Sequence, residues 1–274
     1  MSEELLSRRN FLAGAGALLG MAVIPAVLTK PEVAEAAALK DFPWSYTTLD
    51  AEKVARRAYE VYFAAGCHEA TWWPIVEALA ASDLPDAATT WGTLPKNIMK
   101  FGGGGVAGWG TICGTLNGSC AVIGAVGGPG KLSDEAMQYY AETPLPTNGV
   151  DRSIRKGDWT PAGTNVPAAG PLVNVPTSTA HSQLCHASLS QWTLTTGSAD
   201  GTREQKDRCG KACYDMVFKT VTMLNEWKAN GTLPAGTLDP TMAACVTACH
   251  TTPIAKGKMA CDSCHDESVT HSTK

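Results

Sequence analysis

Two short runs near the C-terminus constrain this chain more than any other feature. Cys245-Val246-Thr247-Ala248-Cys249-His250 is followed by Cys261-Asp262-Ser263-Cys264-His265. Each run ends in Cys-His, with a second cysteine four or three positions before the last one. Covalent attachment of a c-type haem needs this arrangement: two thiols add to the porphyrin vinyl groups, and the next residue brings an imidazole to the iron. Cys261, Cys264 and His265 have the standard CxxCH spacing, and Cys245, Cys249 and His250 the longer CxxxCH variant. Other uses of these cysteines are a tetrahedral zinc site on all four or a pair of disulfides. Neither needs a histidine after each pair, so two haem c groups per chain is the expectation, with His250 and His265 as proximal ligands.

The N-terminus predicts export. Ser7-Arg8-Arg9-Asn10-Phe11-Leu12 is a twin-arginine signal. A moderately apolar run from about Leu12 to Leu28, then Lys30 and the A-x-A site Ala34-Glu35-Ala36, complete a cleavable peptide over 1–36. No later stretch approaches the ~20 continuous apolar residues of a spanning helix. The expected product is periplasmic, with no membrane span in the mature chain. Twin-arginine export moves folded proteins, whereas haem c is added to an accessible segment after export. The conflict resolves if 37–230 folds around a cofactor inserted beforehand and 231–274 stays open as the dihaem segment.

Composition excludes one class. The formal net charge is −4 and there is no basic run, so nucleic-acid binding has no support. No Ser-His-Asp grouping, phosphate loop or paired-carboxylate constellation stands out.

The middle of the chain reads as mainly α. After an extended lead-in at 40–46, Asp50 caps a helix to about Ala65, with Val54, Ala58, Tyr62 and Ala65 at helical spacing. Cys67-His68-Glu69-Ala70 falls at its end or at the start of a second helix. Trp72-Trp73-Pro74 predicts a break or start, with a short helix over 75–81. Gly103 to Gly108 matches GxGxxG formally. No strand precedes it and no acidic residue follows at the ribose position, so a close backbone approach to a helix or inorganic cluster is the better reading. Gly110, Gly114, Gly118 and Ala121 or Ala125 predict a helix face packed very close to a partner, with Cys120 as a small buried hydrophobe. Residues 144–180, rich in Pro, Gly, Thr, Asn and Ser, predict a long irregular insert that wraps the surface or reaches a second subunit. Helix resumes over 181–194 and 203–229, where Cys209 and Cys213 share a face and Asn230-Gly231 terminates. The fold class is mainly α: a helical cysteine-rich domain with long irregular loops and a C-terminal dihaem c segment.

The middle also resembles a four-cysteine redox family. That pattern is a Cys, a glycine-rich stretch, a CGAxxG motif and two further Cys. Here stand Cys67-His68-Glu69-Ala70, then 101–105, then Cys113-Gly114-Thr115-Leu116-Asn117-Gly118, then Cys185, then Cys213-Tyr214-Asp215, with Thr115 in place of the family's Ala. With the haem motifs and export signal, the mature chain is similar to the split-Soret cytochromes c. The resemblance implies a homodimer with two bis-histidine haems per subunit and a [2Fe-2S] cluster on Cys67, Cys113, Cys185 and Cys213, with Cys209 as the alternative fourth ligand. It further implies that one axial histidine comes from the other subunit. Distal ligands must then come from His68, His181, His186 and His271. His68 and His186 are favoured because each directly follows a cluster cysteine, which shortens the electron path. Two disulfides remain the alternative for the four thiols.

The expected function is periplasmic electron transfer to and from redox partner proteins. An iron with two protein ligands has no open position for a substrate, so a carrier is expected rather than an enzyme. The rivals are a reductase of nitrogen or sulfur oxyanions using a haem with a labile distal ligand, and a zinc-binding or disulfide-linked structural protein.

Overall fold

The computed structural model describes residues 40–231. The signal segment, the haem motifs (Cys245, Cys249, His250, Cys261, Cys264, His265) and His271 lie outside the described residues. The described part is helical, as expected. It holds α1 (Ala51–Ala80), α2 (Gly114–Ala125), α3 (Gly130–Glu142), α4 (Gly149–Arg155), α5 (Cys185–Thr196) and α6 (Arg203–Asn230), with two 3₁₀ turns. Its only β pairings are isolated antiparallel bridges, Ile112 with Leu184 and Leu145 with Ser178. No described helix is long and apolar enough to cross a membrane.

Helix α1 begins at Asp50, whose carboxylate accepts from Lys53 N at 3.0 Å. The expected break at Pro74 is not there. Pro74 sits inside the helix, and the interruption falls at Gly66, with φ 80 and ψ 176. That conformation is open essentially to glycine alone, whereas an internal proline removes one N–H and bends the helix without having to end it. Cys67 therefore opens a second helical stretch, directly after the one residue that lets the chain turn.

Helix α6 runs alongside α1, and α2 crosses it. The expected small-residue face is real, and its partner is the 67–71 stretch of α1. A Cβ on Gly114 would fall 2.4 Å from Cys67 Sγ and 2.9 Å from Gly102 O, and one on Gly118 would fall 2.5 Å from His68 O. Only backbone fits between the two helices. On the other side of this crossing lies the core. Tyr59, Ile75, Leu79, Leu116, Ile123, Leu132, Met216, Val217, Val221 and Leu224 are buried there, and Trp44 meets Trp91 edge-on at 4.9 Å. Helix α6 carries Thr202 and Gly231 as its caps, the latter left-handed at φ 66.

Three expectations need correction. Helices α3 and α4 were not expected. The period Leu132, Ala136, Tyr140 is legible in α3, all three being buried, but α4 hides inside the 144–180 insert. Helix α5 starts at Cys185, not 181. Residues before it pair with 111–113 instead, so their backbone bonds are already used. Cys120 is half-buried rather than enclosed.

Residues of the insert lie against α1 and α5. Glu60 accepts from Trp159 Nε1 at 3.0 Å and Ala162 N at 3.2 Å, and Pro176 O accepts from Trp192 Nε1 at 2.8 Å. Underneath, Lys211 Nζ pairs with Asp151 at 2.7 Å and Asp207 at 3.6 Å, all buried, and Leu172 N donates to Asp207 at 3.0 Å. A buried cation held between two carboxylates ties the insert to α6.

Candidate metal centre

Four cysteines from distant parts of the chain line one cavity of about 650 Å³: Cys67, Cys113, Cys185 and Cys209. Each is positioned by a separate device. Cys67 follows the Gly66 turn. Cys113 caps α2 and Cys185 opens α5. Two backbone bonds fasten that pair of helix starts together, Cys113 N to Gln183 O at 2.9 Å and Cys185 N to Thr111 O at 2.8 Å. Cys209 lies on the face of α6 that also presents Gln205, Arg208 and Ala212. Gly66, Gly104, Gly108 and Gly110 form one stretch of the wall, where absent side chains leave room, and Leu189, Thr193, Leu194 and Asp200 form another.

Cys213 is placed differently. It is fully buried one turn along α6, packed with Val61, Ala65, Cys67 and Ala70, and its thiol points at Cys67 O at 3.9 Å. It does not line the cavity. All six described cysteines are free thiols. Among the described residues, no three His, Cys, Asp or Glu side chains converge as a single-ion site; the thiols stand around a larger space.

The sulfurs are electrostatically unequal. Cys113 is held well below the ordinary thiol range by hydrogen bonds from Cys185 and Cys67, against the opposing effect of burial, with Thr115 and Tyr140 contributing. Cys67 and Cys185 move up, each because its proton is held toward Cys113 and because burial disfavours the thiolate. Burial raises Cys213 as well. The thiol most inclined to the thiolate is thus Cys113, which stands at the N-terminus of α2, a place that suits negative charge.

Polar hydrogens surround these sulfurs. Thr115 Oγ1 donates to Cys113 at 3.3 Å, and Gln205 Nε2 donates to Cys209 at 3.1 Å. Arg208 Nη1 approaches Cys209 at 3.8 Å. Tyr62, kept neutral by burial, stands beside Cys209. Sequence reasoning missed Gln205, Arg208, Tyr62 and Tyr140. The available signal was position: Gln205 and Arg208 stand four and one residues before Cys209 on one helix.

The histidines separate. His68 is 3% exposed, with neither ring nitrogen hydrogen-bonded. Its ring lies 5.0 Å from Phe101 and against Gly102, where a Cβ would fall 1.3 Å from Nδ1. Burial lowers its pKa. The loop above it is anchored by Glu69, which accepts from Asn97 N at 2.7 Å and Met99 N at 3.0 Å. His186 is exposed at the cavity wall, and His181 is exposed at φ 48.

A set of buried and half-buried thiols on a helical scaffold, ringed by sulfur-directed donors, defines a redox-type cysteine protein. Residues 86–227 match the family model described as "Putative redox-active protein (C_GCAxxG_C_C)", and the chain belongs to that family. The matched segment holds Cys113, Cys185, Cys209 and Cys213, while Cys67 lies upstream of it and joins through the fold. The chain is also similar to the split-Soret cytochrome c of Desulfovibrio desulfuricans (strain ATCC 27774 / DSM 6949 / MB). They are 27% identical over 239 residues, covering 82% of this chain and 78% of that protein. A solved structure of a split-Soret cytochrome c from D. desulfuricans ATCC 27774, described as having a novel iron centre, superposes with a TM-score of 0.64. It covers 82% of this chain and 91% of that one at 24% identity, a likeness of fold.

Proposed function

We propose that this chain is a periplasmic electron carrier with two c haems in its tail and a [2Fe-2S] cluster in the thiol-lined cavity. The observation that carries the cluster is the convergence of Cys67, Cys113, Cys185 and Cys209 on one glycine-walled space. The residues fit such a group: four sulfurs, a thiol already biased toward thiolate, and N–H and O–H donors aimed at sulfur. Cys209 is the fourth ligand in this reading because it lines the cavity, and Cys213 is apolar packing behind it. When bound, cluster and haems accept and release single electrons. The protein's own part is to hold the sulfurs, exclude bulk water with Tyr62 and Tyr140, and tune the centre through Thr115 and Gln205.

The tail supplies Cys245, Cys249 and His250 to one haem, and Cys261, Cys264 and His265 to the other. For the distal position, His186 is the accessible histidine of the described part. His68 becomes available only if Phe101 and Gly102 move aside. Twin-arginine export and a homodimer complete the proposal, the former because a preassembled cluster needs a folded passenger. The relative that carries the name cytochrome c supports haem attachment here.

A covalent haem stain on a denaturing gel, with optical and EPR spectra of the purified full chain, tests this. Two low-spin haems and a reducible iron–sulfur signal are expected. A high-spin haem that shifts with added small ligands would favour the oxyanion reductase, and absence of covalent haem would remove the cytochrome reading.

A further inference from the structure

The cavity wall carries two charged groups that are not thiols, Asp200 and Arg208, and no hydrogen bond or ion pair joins them. Arg208 is 3% exposed. Nη2 donates to Ser188 Oγ on α5 at 2.6 Å, Nη1 faces Cys209 Sγ at 3.8 Å, and Nε has no partner. Among the described residues no carboxylate pairs with it. The other buried cation of α6 shows the contrast, for Lys211 has Asp151 at 2.7 Å and Asp207 at 3.6 Å. A buried guanidinium without a counter-ion is strongly unfavourable. Against that burial stand the cavity sulfurs, Cys209 beside it and Cys113 beyond, whose negative charge favours the guanidinium.

Resting on the reading of this cavity as an iron–sulfur site, we propose that Arg208 is the fixed counter-charge of that centre and sets its reduction potential. A cluster held here would take up one electron from a haem or a reduced redox partner protein, which is oxidised in turn. No bond forms or breaks, and the cavity becomes one unit more negative. A permanent cation a few ångströms from a cluster sulfur, shielded from water, favours that added charge far more than a surface cation does. Arginine suits the role because its charge survives burial, where a lysine loses its proton more readily. Ser188 holds the guanidinium in place, and Gln205, itself fixed by Gly201 N at 3.1 Å, holds Cys209.

The test is an EPR-monitored redox titration of the full chain carrying its haems and cluster. Arg208→Gln should lower the reduced-to-oxidised ratio at fixed potential by about tenfold, which is about 59 mV for a one-electron couple. Arg208→Lys should stay nearer the unsubstituted protein. Lys206→Gln, which removes the same charge from an exposed position on the same helix, should leave the midpoint unmoved. If Arg208→Gln fails to load the cluster while Arg208→Lys loads it, the requirement for charge is again met. A loaded Arg208→Gln with an unchanged midpoint overturns the proposal. So does failure of both variants to load, which would mark Arg208 as a clamp between α5 and α6. Absence of non-haem iron in the unsubstituted protein removes the underlying reading of the cavity as well, and is recognisable before any variant is made.

Discussion

Cys113 and Cys185 stand side by side because the backbone around them is paired. Cys113 N donates to Gln183 O at 2.9 Å and Cys185 N to Thr111 O at 2.8 Å. This single antiparallel bridge joins the starts of α2 and α5, so two helix N-termini meet at two thiols. The hydrogen bond between the two sulfurs pulls the Cys113 thiol down and, with burial, pushes the Cys185 thiol up. The bridge is therefore the device that converts two remote cysteines into half of a site.

The close crossing of α2 over the 67–71 stretch has a measurable consequence. Gly114→Ala would place a Cβ 2.4 Å from Cys67 Sγ and 2.8 Å from His68 N. The neighbours are partly backbone and cannot rotate away. We expect about 1–3 kcal/mol of destabilisation from overpacking, read by urea denaturation, together with loss of the cluster's visible absorption. An equally stable, fully loaded variant would contradict the packing described.

The insert should depend on one buried cation. Lys211→Met leaves Asp151 and Asp207 without their cation and with neutral donors only, Tyr59 OH and Leu172 N on Asp207 and Asn174 N on Asp151, both side chains being at most 6% exposed. Removing one partner of a buried ionic group costs ~3–5 kcal/mol. The expected result is a large fall in unfolding free energy and early proteolytic cutting within 159–176. A triple variant, Lys211→Met with Asp151→Asn and Asp207→Asn, should recover part of the loss.

Acid sensitivity should trace in part to Glu52. Its pKa is lowered by hydrogen bonds from Lys156, then Ser153 and Arg56, against the opposing effect of partial burial. A carboxylate with a depressed folded pKa contributes stability that is complete above its unfolded value, near 4.5, and is lost as pH falls through the lower folded value. Glu52→Gln should therefore flatten the stability profile below about pH 4.5. With Glu52 26% exposed, the effect should be only ~0.5–1 kcal/mol. An unchanged acid limb in thermal melts across pH 3–6 would contradict this.

Much of the scaffold was legible in the sequence, for reasons visible in particular residues. Asp50 and Gly231 are caps with strong local signatures, and the Gly114–Gly118 spacing announces a close helix contact before any partner is known. The site was legible as a set of cysteines but not as an arrangement. Nothing local shows that Ile112 pairs with Leu184, because one bridge leaves no alternating pattern. Cys209 and Cys213 are equivalent by helical phase to within one turn, and depth in the fold separates them. Arg208 sits in Arg-Glu-Gln-Lys-Asp-Arg, which reads as a solvated helix face, yet its guanidinium is buried against sulfur. Gly66, rather than the more conspicuous Pro74, interrupts α1 because it alone takes up φ 80.

The central claim is that Cys67, Cys113, Cys185 and Cys209 together hold an iron–sulfur cluster. Its most direct test is non-haem iron and acid-labile sulfide per chain in the purified full-length protein and in its single Cys→Ser variants. We predict iron and sulfide in equal amounts in the unsubstituted protein. Both should be lost or sharply reduced by Cys67→Ser, Cys113→Ser, Cys185→Ser and Cys209→Ser, and retained in Cys213→Ser. A full complement in Cys113→Ser or Cys209→Ser, or its loss in Cys213→Ser alone, would contradict the account.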